Sequence, residues 1–344
     1  HVQSFITTED ETMSVVQIAH GGGGKLTEEL IKGVFVKIFD NDIINGMEDS
    51  AVINLKSANI AFTTDSYTVK PLFFPGGDIG KLAVCGTVND LLMRGAKPLF
   101  LSASFIIEEG FKIDELKAVA ASMADACQEA GVRIVTGDTK VVARGEADQL
   151  FISTSGVGLV PPGVDVSIKK ARPGDCIIIS GTIGDHGMAV LSSRENFTFD
   201  PPVRSDCAPL VEMVNTILEY RDFIRVMRDP TRGGVAEVFY NISEAGGVGI
   251  EIYEDQLPVK PQVISACNML GLDFYQLANE GKLITVVESS VSKKVLELIK
   301  GCKYGRNAAI IGTVNDSGLV TVKTRFGTSR ILSRPIGELI PRIC

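Results

Sequence analysis

Apolar positions along this chain follow two rhythms. Stripes at helical spacing run through residues 25–38, 81–93, 114–130, 210–220, 234–245, 260–270 and 291–300. In the third of these, Leu116, Val119, Ala120, Met123, Ala124 and Cys127 share one face, as a helix lying on a core requires. Between the stripes, apolar and β-branched runs at 51–55, 60–64, 99–105, 132–136, 150–160, 175–180, 283–288 and 308–314 predict strands. Glycines punctuate the element ends, as at Gly131, Gly246-Gly247 and Gly301. Strands interleaved with long helices predict an α+β protein with helices packed on mixed sheets. Two Pro/Gly clusters, Pro161-Pro162-Gly163 and Arg172-Pro173-Gly174, flank a short charged stretch without periodicity, which marks a domain boundary. The expected division is an N-terminal segment (1–42), a first domain (43–160), a second α/β domain (172–330) and a flexible tail (331–344).

Length and charge narrow the class. A chain of 344 residues has room for two sizeable cores. Its 34 Lys and Arg against 42 Asp and Glu give a net charge of −8, which argues against nucleic acid and anionic membrane as partners. No apolar run approaches the ~18 residues of a membrane helix. The acidic start lacks a basic-then-apolar signal pattern, so a cytoplasmic location is expected. The seven cysteines, at 85, 127, 176, 207, 267, 302 and 344, include no Cys-x-x-Cys pair. Six of them read as small buried hydrophobes. Cys344 differs, because it closes the sequence, where chains fray and a thiol is open to oxidation. It is either a tolerated accident or a reacting group able to enter a slot too narrow for a chain interior.

Several clusters could carry chemistry, each with a plainer alternative. His20-Gly21-Gly22-Gly23-Gly24-Lys25 runs into a helix; it is a phosphate cradle or a hinge. Asp49, Asp65, Asp90 and Asp138 recur at predicted element ends beside Gly, Thr or Asn. Hard oxygen ligands from several loops suit an Mg-nucleotide, while any one of them alone suits a cap or turn. Asp90 stands apart, falling inside a helical run beside Asn89. Arg228-Asp229-Pro230-Thr231-Arg232-Gly233-Gly234 opens a helix as a phosphate loop or a Pro-directed turn. The loop 180–187 is of the same kind, and its His186 reads as a packing or capping residue. Glu280, in Asn279-Glu280-Gly281, is a base or a turn residue.

These pieces, in this order, resemble one family over essentially the whole length. It is the HypE family of hydrogenase maturation proteins, carbamoyl dehydratases within the ATP-binding superfamily of aminoimidazole ribonucleotide synthetases and selenophosphate synthetases. The most specific element is the ending Pro341-Arg342-Ile343-Cys344. Gly86-Thr87-Val88-Asn89-Asp90-Leu91, Gly95-Ala96-Lys97-Pro98, the run from Val135 to Val141 and the segment 228–234 support it. The resemblance implies a two-domain fold that pairs as a homodimer through its N-terminal sheets, with ATP in a cleft closed by the glycine loop. It also implies ATP-dependent dehydration of an S-carbamoyl group to S-cyanate, supplying the cyanide ligands of [NiFe] hydrogenase iron. Cys344 would then carry the group, Glu280 serve as base and Lys140 polarise the carbamoyl. Asp65, Asp90 and Asp138, with Asp49 weaker, would hold Mg²⁺. Gly22, Gly23, Gly24, Lys25, Asn89, Thr139, Asp229 and Arg232 would join the aspartates around ATP. The implied partners are a HypF-type carbamoyltransferase and an iron-carrying HypC–HypD-type complex. A thiamine-phosphate kinase or amidine-forming synthetase of the same superfamily would need no Cys344, and a non-catalytic docking scaffold would need no aspartates.

Overall fold

The computed structural model describes residues 15–16, 30–40, 59–334, 340 and 342–344. The glycine loop, Asp49, the predicted strand at 51–55 and Pro341 lie outside the described residues. After a helical segment, Ile31–Val36 continuing as Lys37–Phe39, the first half builds one four-stranded sheet. Its elements are β1 (Asn59–Tyr67), the short ribbon β2 (Phe73–Phe74) and β3 (Gly77–Asp78), α1 (Ile79–Met93), β4 (Lys97–Glu108), α2 (Ile113–Ala130), β5 (Arg133–Val142) and β6 (Leu150–Val160). The sheet order is β1-β6-β4-β5, with β4 and β5 parallel and the other pairs antiparallel.

The second half holds β7 (Cys176–Ile179), α3 (Asp185–Arg194), α4 (Val211–Ile217), β8 (Ile224–Arg228), α5 (Gly234–Gly246) and β9 (Gly249–Tyr253). It ends with α6 (Pro261–Leu270), β10 (Ile284–Val287), α7 (Ser292–Gly301), β11 (Ala309–Asn315), β12 (Val320–Lys323) and β13 (Ser329–Ile331). Their strands form a seven-stranded mixed sheet in the order β13-β12-β9-β11-β7-β10-β8. Among the described residues, no helix is long and apolar enough to cross a membrane.

Helix α1 is the pivot of the molecule. Asp78 caps it, accepting from the Gly80 and Lys81 amides at 2.7 and 3.1 Å. Apolar residues occupy nearly every direction around it, so it is buried on all sides. The first sheet and α2 cover part of its surface, and loops of the second half cover the rest. Asn89 makes that last contact. Its amide donates to the Ala208 and Glu280 carbonyls, and its Oδ1 accepts from the Leu210 amide at 3.0 Å. All of this hydrogen bonding is completely buried, so Asn89→Ala would strand three backbone groups of the second half. We expect a loss of about 3 kcal/mol in denaturant unfolding, with a matching fall in midpoint.

All seven cysteines lack disulfides, and five are buried, as packing residues are. Burial pushes the Cys127 thiol up to about 12, which keeps it inert.

Candidate functional site

The Gly86–Asp90 run brings β1 and α1 together as a site. A Cβ at Gly86 would overlap the Tyr67 hydroxyl, so only glycine lets that ring in. The buried Tyr67 hydroxyl donates to Asp65 Oδ2 at 3.1 Å and lies 3.4 Å from Thr87 Oγ1. Thr87 in turn meets Thr154 Oγ1 at 2.5 Å, and Thr154 donates to the Ala83 carbonyl. This hydroxyl chain anchors Asp65 to the core. One helical turn on, Asp90 accepts from Thr63 Oγ1 at 2.8 Å.

Asp229, from the loop after β8, completes a carboxylate cluster with Asp65 and Asp90. Burial, then Asp229 and Asp65, push the Asp90 carboxyl up to about 7. Burial likewise pushes Asp229 up to about 6, against the pull of the Arg228 guanidinium. Both carboxyls line a cleft of about 380 Å³, large enough for a small ligand, together with Thr63, Arg94, Met227 and Arg228. Arg228 Nε is buried there with no hydrogen-bond partner in the protein, an orphan donor suited to an anion. Among the described residues, no three His, Cys, Asp or Glu side chains form a ready metal cage.

The raised carboxyls fix a pH dependence. The folded state holds protons that the unfolded chain has already released, so stability falls as pH rises from about 4 to about 7. Asp90→Asn should flatten that decline and raise the thermal midpoint at pH 7, which calorimetry at several pH values would read.

The chain end is docked, contrary to the fraying its position suggested. The Thr68 and Lys70 amides donate to the Cys344 and Arg342 carbonyls at 2.9 and 3.2 Å, half of an antiparallel ladder. The Arg342 guanidinium reaches the Thr68 carbonyl at 2.7 Å and Asp148 Oδ2 at 2.6 Å. From the second half, Arg194 donates to the Arg342 carbonyl, and His186 Nε2 lies 2.8 Å from that of Ile343. Ile340 and Ile343 are buried, and Cys344 is half-buried. The terminal residue is therefore held against Thr68, at the end of the strand that carries Asp65 and Tyr67.

Glu280 sits in the same region, buried, with Oε1 unpartnered. Burial, then the nearby Cys207, Asp229, Asp206 and Asp65, holds its carboxyl well above the usual range. Its backbone is fixed by neighbours: its amide donates to Asp206 Oδ1 at 3.2 Å, and a Cβ on Gly281 would overlap the Asp206 carbonyl. The Asp206 carboxyl is itself buried, yet the Lys282 ammonium, 2.8 Å away, holds it below its ordinary value. Glu280 thus stands at a backbone bend with its side chain turned into the interior.

Other sequence candidates go elsewhere. Asp138 pairs with Ser104, which pairs with Ser153 and then Ser66, so it lies on the opposite sheet face from Asp65 and three strands away. Within one chain it cannot join Asp65 and Asp90. Lys140 accompanies it, both largely exposed, at 3.2 Å. Thr139 points into the core, and Arg232 is exposed beside the cleft loop. Asn89 spends its side chain on backbone groups, as described above. Tyr67 and His186 were missed as site residues. A tyrosine two positions after Asp65, with a glycine and a threonine where a hydroxyl must fit, was the available signal for the first.

Comparison with known proteins agrees with this architecture. The N-terminal domain of AIR synthase related protein matches residues 47–160, and its C-terminal domain matches residues 172–325. Carbamoyl dehydratase HypE of Bradyrhizobium diazoefficiens is 48% identical over 332 residues, 96% of each chain. A crystal structure of the hydrogenase maturation protein HypE in complex with ATP superimposes with a TM-score of 0.92 at 44% identity, covering 95% of this chain and 99% of that one. HypE in a HypE–HypF complex is similar at a TM-score of 0.80 and 59% identity, covering 91% and 100%. With this identity across nearly its whole length, the chain belongs to the HypE family of carbamoyl dehydratases, built on the AIR synthase related fold.

Proposed function

We propose that the protein dehydrates an S-carbamoyl group on Cys344 to S-cyanate at the expense of ATP, for delivery to hydrogenase iron. The docking of Cys344 against Thr68, at the end of the strand that carries Asp65, together with a buried glutamate whose Oε1 is unpartnered and a carboxylate-lined cleft, carries this reading. It rests also on the similarity to the ATP-bound HypE structure.

ATP, when bound, supplies a γ-phosphoryl group that turns the carbamoyl oxygen into a phosphate leaving group. Arg228, with its orphan Nε, and Arg94 offer positive charge to the phosphates in the cleft. Asp65, Asp90 and Asp229 would hold Mg²⁺, which neutralises phosphate charge. That ion keeps waters and phosphate oxygens as its remaining ligands, so two or three carboxylates suffice. The raised proton affinity of Asp90 and Asp229 fits a divalent cation, because it replaces the protons those two would otherwise need. One nitrogen proton would leave to solvent as the oxygen is phosphorylated, and Glu280 takes the second as the C–O bond to phosphate breaks and C≡N forms, with phosphate as the leaving group. Sulfur keeps its bond to carbon throughout.

The open face of the first sheet supports a homodimer. Ile60, Phe62 and Ile106 stand exposed there on β1 and β4, opposite the face that α1 covers. Asp138 and Lys140 lie on the same face, so pairing would carry them toward the partner's site, where Lys140 could polarise the carbamoyl. By the family resemblance, the glycine loop, Gly22 to Lys25, and Asp49 would also serve ATP; they lie outside the described residues. A HypF-type carbamoyltransferase would load Cys344, an iron-carrying HypC–HypD-type complex would accept the cyanide, and a reducing cytoplasm would keep the thiol available.

The test is to incubate the protein with carbamoyl phosphate, ATP and a carbamoyltransferase and to weigh the C-terminal peptide. The reading expects a carbamoyl adduct on Cys344 that loses one water only with hydrolysable ATP. An adduct on another cysteine, or none, overturns it.

A further inference from the structure

His186 is the described histidine that neither the carboxylate cluster nor the base accounts for. It opens α3 and is completely buried, with the Phe74 ring edge-on at 5.4 Å. Both ring nitrogens are engaged, and the partners fix the proton. The Ile343 carbonyl, 2.8 Å from Nε2, can only accept, so Nε2 carries the hydrogen. Burial disfavours the charged ring, which leaves Nδ1 as an acceptor. Ser205 Oγ, 2.8 Å from Nδ1, must then donate to it, while accepting from the Cys207 amide at 3.1 Å. The result is one directional chain from Cys207 N–H through Ser205 and His186 to the Ile343 carbonyl.

The same loop holds the base. Asp206, between Ser205 and Cys207, accepts from the Glu280 amide, and Ala208 is tied to α1 through Asn89. Ile343 contributes the peptide that precedes Cys344, and Thr68 holds the carbonyl on the other side of that residue. We infer that His186 is a positioning residue for dehydration: through Ser205 and the Ile343 carbonyl it holds the Cys344 thiol in register with Glu280. The inference rests on Cys344 carrying the carbamoyl and on Glu280 acting as base. Loading by a transferase acts on the tail when it has left this groove, so losing the His186 contact should not slow that step.

The experiment follows single turnovers by mass, on protein carbamoylated at Cys344 by the transferase and then mixed with ATP. His186→Phe keeps the ring and removes both hydrogen bonds, while His186→Gln places an N–H near the position of Nε2. We expect His186→Phe to slow water loss by about 10²-fold, the scale of a roughly 1 Å misplacement, with loading no slower and ATP affinity unchanged. His186→Gln should recover most of the rate. Ser205→Ala, a smaller change, should slow water loss in the same selective way, and ¹⁵N spectra of the unaltered protein should show the Nε2–H tautomer. Unchanged dehydration in His186→Phe and Ser205→Ala overturns the inference alone. So does an Nδ1–H tautomer, or equal loss in His186→Phe and His186→Gln tracking thermal stability. Absence of any Cys344 adduct on the unaltered protein removes the functional reading and this inference with it.

Discussion

Cys344→Ser is expected to abolish turnover while leaving the protein folded, docked and able to bind nucleotide. The contacts that seat the tail are made by backbone carbonyls of residues 342–344, the Arg342 guanidinium and the buried Ile343. Serine keeps the backbone and nearly the size of cysteine, so these contacts survive the change. Unfolding stability should therefore change by less than about 1 kcal/mol. Dehydration should fall to background, on the scale of about 10⁶-fold that loss of a covalent nucleophile costs. Mass spectrometry and ATP consumption with the transferase present would read both. Retained ATP-dependent turnover would mean a relative that uses the cleft without the cysteine, as a kinase or amidine-forming synthetase would.

Glu280→Gln should separate the base from the cleft. The substitution is isosteric, and it removes a buried acid crowded by Asp229, Asp206 and Asp65. Loading of Cys344 and nucleotide affinity should stay unchanged, while loss of water slows by about 10²–10⁴-fold, the usual range for a general base. The pH behaviour gives an independent check. Because the Glu280 carboxyl sits well above its ordinary range, its basic form is scarce at mildly acid pH. The unaltered protein should gain rate as pH rises, and the variant should lose that limb. Stability moves the opposite way: the folded state keeps a proton that the unfolded chain gives up above about pH 4.5, so folding weakens with rising pH. Glu280→Gln should remove that part of the decline, visible as a higher thermal midpoint near neutral pH. A variant that dehydrates at the original rate would place the base elsewhere.

Much of the framework follows from local pattern. The strand at 150–160 has the predicted bounds, and the runs at 60–64, 99–105, 132–136 and 308–314 fall within longer strands or overlap them. The helix at 113–130 buries the predicted Leu116, Val119, Ala120, Met123 and Cys127. The elements missed were short strands, β2, β3, β8, β9, β12 and β13, and the helix α3. Two to five residues carry too little periodicity to register, and α3 has small and polar residues over much of its length. The helix expected at 210–220 breaks at Ile217 into a tighter 3₁₀ segment, Leu218–Phe223.

The site divides along the same line. Sequence by itself determined that Cys344 is unlike the other cysteines, that Asp90 interrupts an apolar helix, and that Glu280 lies in an Asn-Glu-Gly segment. Those are local facts of order and spacing. Asp65 and Asp138, expected at strand ends, instead lie inside β1 and β5, which run on past them. The family resemblance implied that Asp229 joins the aspartates, but only the tertiary structure packs it, from far along the chain, against Asp65 and Asp90 and turns Asp138 the other way. A strand exposes alternate residues on opposite faces, so the register of β5 decides Asp138's side, and register is a non-local property. Burial decided the rest. Raised carboxyls at Asp90 and Glu280, and a neutral His186 gripping the tail, arise because two domains close over α1 and exclude water from groups lying far apart in sequence.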